Sequence, residues 1–295
     1  MRLMLTAVLL LLPLGLACAD TAATLAQADS LNNEGKFLEA RTLVLDAAGA
    51  ATGKDKAELY WRAARETLEL GDIAEKAGTP QADVLAIFTE GQGYADKAIA
   101  ADPGTDLAYY WKSANIGRWG QVKGVLDSLM KAQPMKDLLV KDLSIDPERS
   151  DAYFVLGQLY RELPGWPVSF GDMAAAGSLG RKAVDLRQAQ VEAGTEQEIV
   201  YNFSIELAKT LWKRNWSAAT RAKELAGRKA KAASAATPLD KGSYYEATIA
   251  LKDVSDREEA KSLVQWAVSQ LEGMGELTAG QKKDLQKAKD VLKGW

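Results

Sequence analysis

Six aromatic side chains have the types and spacing for binding chemistry: Tyr109, Tyr110, Trp111, Trp119, Trp166 and Phe170. Indole and phenol rings supply apolar area, π faces that attract cations and, for Trp and Tyr, one polar handle. They are ligand-lining residues in this reading, not catalytic ones. Residues 109–111 cannot all share one helix face, because successive residues turn by about 100°. One or two of these rings must pack on an adjoining helix, and the others face a cavity or an interface. Tyr60 and Trp61 extend the set.

The other chemistry-bearing side chains are ordinary. The chain has no histidine and one cysteine, Cys18, so Ser-His and Cys-His catalysis and histidine metal sites are excluded within it. No Walker loop, dinucleotide glycine fingerprint, metal-ligand cluster or nucleophile elbow occurs. The expectation is a protein without catalytic activity, cofactor or metal. A net charge of −3 argues against nucleic acid as a partner, since such binding leans on phosphate neutralisation. The lysines and arginines of 221–231 alternate with alanine as a solvated helix face does. Asp256, Glu258 and Glu259 read as charges capping a helix start.

The elements that must position the rings are helices. Alanine, leucine, lysine and glutamate dominate and β-branched runs are few, which predicts an all-α chain of 295 residues. Searching for internal repeats gives tetratricopeptide-like helix pairs. Leu25, Ala28 and Leu31, a turn at Gly35-Lys36-Phe37, then Ala40, Val44 and Ala47 make the first pair. Helix 58–70 follows, ended or interrupted at Gly71-Asp72, then a break at 77–80 and helix 82–101. Asp102-Pro103 and Asp146-Pro147 each close a pair, with breaks expected near Gly120 and Pro134 between them. In the next helix Tyr153, Leu156, Gly157 and Tyr160 match the repeat best, Gly157 admitting a close neighbour. Residues 163–172, Leu-Pro-Gly-Trp-Pro-Val-Ser-Phe-Gly-Asp, cannot continue a helix. They form an ordered inter-helix loop pinned onto a neighbouring surface by Trp166 and Phe170; a second, functional reading has Trp166 bordering a ligand groove or partner surface. Helices 173–192, 196–212, 218–236, 242–251, 257–271 and 278–292 complete an α-solenoid of about four repeats plus extra C-terminal helices, with Thr278 as a cap.

Residues 1–19 read as an export signal: Arg2, the apolar run 3–12 and Pro13. Residues 20–295 then form one helical domain. Cys18 has two readings, discarded by ordinary signal peptidase or lipidated at a loose lipobox, Leu14-Gly15-Leu16-Ala17-Cys18. The expected location is the periplasm, soluble or lipid-anchored through Cys18.

Tyr109-Tyr110-Trp111-Lys112-Ser113-Ala114-Asn115-Ile116-Gly117-Arg118-Trp119-Gly120, together with 163–172 and Lys182-Ala183, resembles the T-component family of tripartite ATP-independent periplasmic (TRAP) transporters. The resemblance implies a non-enzymatic component that docks with the transporter's solute-binding P subunit. It also implies a homotrimer whose apolar channels bind or relay a hydrophobic small molecule. A general tetratricopeptide scaffold for envelope protein–protein contacts is the alternative, separated from the first by gene neighbourhood.

Overall fold

The structure, a computed structural model, describes residues 14–196 and 198–295. Among them are thirteen α-helices, one 3-10 turn and no strand, so the all-α expectation holds. The helices group into two units divided between Ser128 and Leu129.

In the first unit α1 (Leu14–Asn33), α2 (Phe37–Ala48), α3 (Gly53–Lys76), α4 (Gln81–Ala101) and α5 (Asp106–Lys123) pack in sequence. Contacts of α1 with α3 and of α3 with α5 make these stacked pairs. Two breaks fall elsewhere than the sequence suggests. α3 runs through Gly71 because the ring of Phe88 occupies the space a Cβ would need, 2.5 Å from its ring carbon. The glycine is a packing device there, not a stop. α5 runs through Gly120 and ends at Gly124, whose φ of 129° suits glycine. α6 (Val125–Ile145) contains Pro134 without ending at it.

Polar side chains also join the helices of the first pairs. Arg62 bridges α3 to Asp29 of α1 at 2.8 Å and lies 4.1 Å over the ring of Trp61. Asn115 of α5 donates to the carbonyls of Ala64 (3.1 Å) and Trp111 (2.9 Å), and a Cβ on Gly91 of α4 would lie 2.1 Å from its Oδ1.

The repeat logic shows at the Asp-Pro turns. The Tyr109 hydroxyl donates to the carbonyl of Pro103 at 3.1 Å, and in the second unit Tyr153 repeats the bond to Pro147 at 2.9 Å. Each tyrosine thus ties the start of its helix to the turn before it.

In the second unit α7 (Ser150–Glu162) pairs with α8 (Met173–Glu192), as expected. A Cβ on Gly157 would meet the backbone N of Gly180 at 3.1 Å, so its absence sets how closely the two helices approach. Then come α9 (Tyr201–Arg214), α10 (Ala218–Ser234), α11 (Pro238–Ser243), the 3-10 turn Tyr245–Ala247, α12 (Asp256–Gly273) and α13 (Ala279–Lys293). The expected helix over 242–251 is instead a short helix, the 3-10 turn and irregular chain. Thr237, just past the expected helix 218–236, caps α11.

A buried ion cluster fixes that irregular stretch. Arg214 of α9 forks onto Asp256 at 2.7 and 2.9 Å and reaches Glu246 at 2.6 Å. Arg181 of α8 bonds Glu246 at 3.0 Å and Glu259 at 2.9 Å, and Arg221 of α10 pairs with Glu259. Burial pushes the Glu246 carboxyl up, yet Arg214 and Arg181 hold it below its ordinary range. Three arginines and three carboxylates from five segments are thus joined in one largely buried cluster.

Candidate docking surface

The connection from α7 to α8 is built as a rigid platform. Leu163 turns out of the helix in an extended conformation, and Asp172 caps α8, its Oδ1 accepting from the N–H groups of Ala174 (2.8 Å) and Ala175 (3.1 Å). Between these ends the N–H of Gly171 donates to Pro164 O at 3.0 Å and that of Asp172 to Tyr160 O at 3.0 Å. The N–H of Val168 reaches Gly165 O at 3.2 Å. A Cβ on Gly171 would lie 2.0 Å from the Leu163 carbonyl oxygen, so the loop closes only over glycine.

Phe170 anchors this platform. Its ring lies 5.1 Å from that of Tyr160, and the Lys136 ammonium sits over both, 4.4 Å from Phe170 and 5.2 Å from Tyr160. Trp166 does the opposite: it is 90% exposed, and Val168 beside it is 69% exposed. Next to the loop a cavity of about 440 Å³ is lined by Tyr160, Arg161, Leu163, Pro164, Met173 and Lys213.

The wall under that cavity is electrostatically set. Arg161 is buried, pairs with Glu206 at 2.6 Å and donates to Glu206 O at 3.0 Å and Thr210 Oγ1 at 3.2 Å. Lys213 Nζ caps the Arg161 carbonyl at 3.1 Å. Burial pushes the Glu206 carboxyl up, but Arg161, Lys287 and Lys209 more than reverse it and hold it at about 2.

Tyr109, Tyr110, Trp111 and Trp119 lie on α5 in the first unit. Tyr109 is buried. Trp111 packs against Ala57, Trp61 and Ala108 on one side and against Leu68, Val84 and Phe88 on the other, its Nε1 buried with no hydrogen-bond partner. Tyr110 meets it edge-on at 5.1 Å, and Trp119 joins the Phe88 cluster. Trp166 is thus the ring of the six most open to solvent. Arg161, Glu206 and the ion cluster escape sequence reading, because their partners lie tens of residues away and no short motif joins them. Among the described residues no group of His, Cys, Asp and Glu is arranged to hold a metal.

The model of the family described as regulator of microtubule dynamics protein 1-3 matches residues 24–176. The chain belongs to this family. The match runs over more than half the chain and includes both stretches that resemble the T-component family and the whole Trp166 loop. Regulator of microtubule dynamics protein 1 of Bos taurus is 25% identical to it over 103 residues, 35% of this chain and 32% of the bovine protein. The chain therefore matches about a third of that relative's length.

Membership of the microtubule-dynamics family overturns the T-component assignment. With it go the TRAP transport function, the docking to a solute-binding P subunit, the hydrophobic ligand relayed through a channel and the homotrimer. The periplasmic location, soluble or anchored through Cys18, falls too, since the bovine relative belongs to a cell that has no periplasm. The physical reason is that the misleading residues serve general helix-pair packing. Tyr109 closes an Asp-Pro turn, Trp111 and Trp119 fill gaps between helices, and Asp172 caps a helix. Of the expected export signal, residues 1–13 lie outside the described residues. No helix among the described residues is long and apolar enough to cross a membrane.

Proposed function

We propose that this protein is a non-enzymatic helical-repeat adaptor that acts on microtubule dynamics by docking onto the microtubule, with Trp166 as its principal anchor. The observation that carries the docking reading is an indole almost wholly in solvent on a loop hydrogen-bonded at both ends. An exposed aromatic on a backbone already tied by hydrogen bonds leaves only its side-chain rotamers to order on binding, and tryptophan is prominent among residues that dominate interface energies. Val168 enlarges the apolar patch, and the adjoining cavity offers a recess for a partner side chain. The microtubule reading is supported by the family's description and by the name of the bovine relative.

Co-sedimentation with stabilised microtubules tests both halves. The wild-type chain should pellet with the polymer, and Trp166→Ala should weaken binding roughly 30-fold, the effect of a hot spot of about 2 kcal/mol. Trp166→Phe should recover part of it. A wild-type chain that stays in the supernatant overturns the microtubule reading. Equal binding by Trp166→Ala overturns the anchor.

A further inference from the structure

α10 carries a groove that the Trp166 platform does not use. Arg221 is its buried residue, and the rest of the helix is half-buried or exposed. Ala222, Leu225 and Ala226 form an apolar stripe, and a cavity of about 430 Å³ lies between it and Ile249 and Leu251 of the irregular segment before α12. One wall is polar and fixed: Arg221 and Glu246 line the cavity while held in the ion cluster, and Arg221 Nε makes no hydrogen bond.

The edges are basic. Lys229 and Lys252 line the cavity, are exposed and make no ion pair among the described residues. Lys223 and Lys231 are exposed on the same helix, where Glu224 is the one acid, and Asp253 is the one acid at the groove's edge. The recess has room for a short peptide segment, its apolar wall suits an aliphatic side chain, and the lysine ammonium groups beside it suit carboxylates. A flat anionic membrane cannot enter such a recess.

We propose that this groove docks an acidic peptide segment of a partner protein, with one aliphatic side chain against Leu225 and Leu251 and carboxylates at Lys229 and Lys252. The site lies outside residues 24–176, so the inference does not rest on the microtubule reading.

Fluorescence anisotropy on the full chain tests it with a labelled Glu-Glu-Leu-Glu-Glu peptide at low salt. The expected dissociation constant is about 10–100 µM. The double variant Lys229→Glu/Lys252→Glu should weaken binding at least about tenfold, and Leu225→Ser or a peptide with serine for leucine should do the same. Unchanged circular-dichroism melting would show that the variants remain folded. No wild-type binding up to about 1 mM peptide, or equal binding by both variants, overturns the proposal. So does tighter binding to phosphatidylserine vesicles or single-stranded RNA than to the peptide.

Discussion

Trp166 and Phe170 leave one loop in opposite directions, and the difference decides what each substitution does. Phe170 is held by Tyr160 and Lys136, whereas Trp166 is 90% exposed. Trp166→Ala should leave the unfolding free energy within about 0.5 kcal/mol of wild type in urea titration, while partner binding falls. Arg214→Met should do the reverse to stability, losing about 3–5 kcal/mol because Glu246 and Asp256 are stranded out of water. Gly91→Ala should cost about 1–3 kcal/mol, because its Cβ needs the place of an Asn115 side chain already bound to two carbonyls.

Glu206 supplies a pH signature at the same scale. Its folded value of about 2 lies below the ordinary 4.5, so its contribution is present above about pH 4.5 and is lost as pH falls through about 2. Burial raises Asp185 and Asp284, whose contributions run the other way and are lost as pH rises through their folded values. The comparison that isolates Glu206 is wild type against Glu206→Gln. The gap in unfolding free energy should be on the order of 3 kcal/mol at pH 7 and should shrink towards pH 2. A gap that does not change with pH contradicts the assignment.

Helix boundaries show where sequence reading reaches and where it stops. Thr278 is legible as a cap because the signal is local, and its Oγ1 does accept from Gln281 N–H at 3.2 Å in a reciprocal capping box. Ser255 makes the same box with Glu258. Thr278→Ala and Ser255→Ala should each lower stability by about 1 kcal/mol in denaturant titration. The α7–loop–α8 connection is legible for the same local reason. Gly71, Gly120 and Pro134 mislead because breaker residues are read by propensity, while the neighbours that overrule propensity, Phe88 above all, are distant in sequence. Asp256 looks like a first-turn charge and is one, but its fork with Arg214 spans 42 residues and leaves no local trace. Which face of a loop an aromatic takes is equally non-local, so the type of chemistry at 163–172 was readable and the outward direction of Trp166 was not.

At the scale of the whole molecule, helical periodicity sufficed for the all-α class, but the family did not follow from it. Tetratricopeptide-like packing places large, small and aromatic residues at recurrent offsets whatever the partner, so a local likeness over Tyr109–Trp119 does not by itself assign a family. The assignment comes from the match over residues 24–176, and the role of that region rests on what its outward surface binds. Direct observation of individual growing microtubules tests this role most plainly. With the chain present at micromolar concentration, growth rate or catastrophe frequency should change by at least about twofold, and the Trp166→Ala variant should need roughly 30 times more protein for the same effect. Microtubules that grow and shrink at the same rates with and without the wild-type chain would contradict the account.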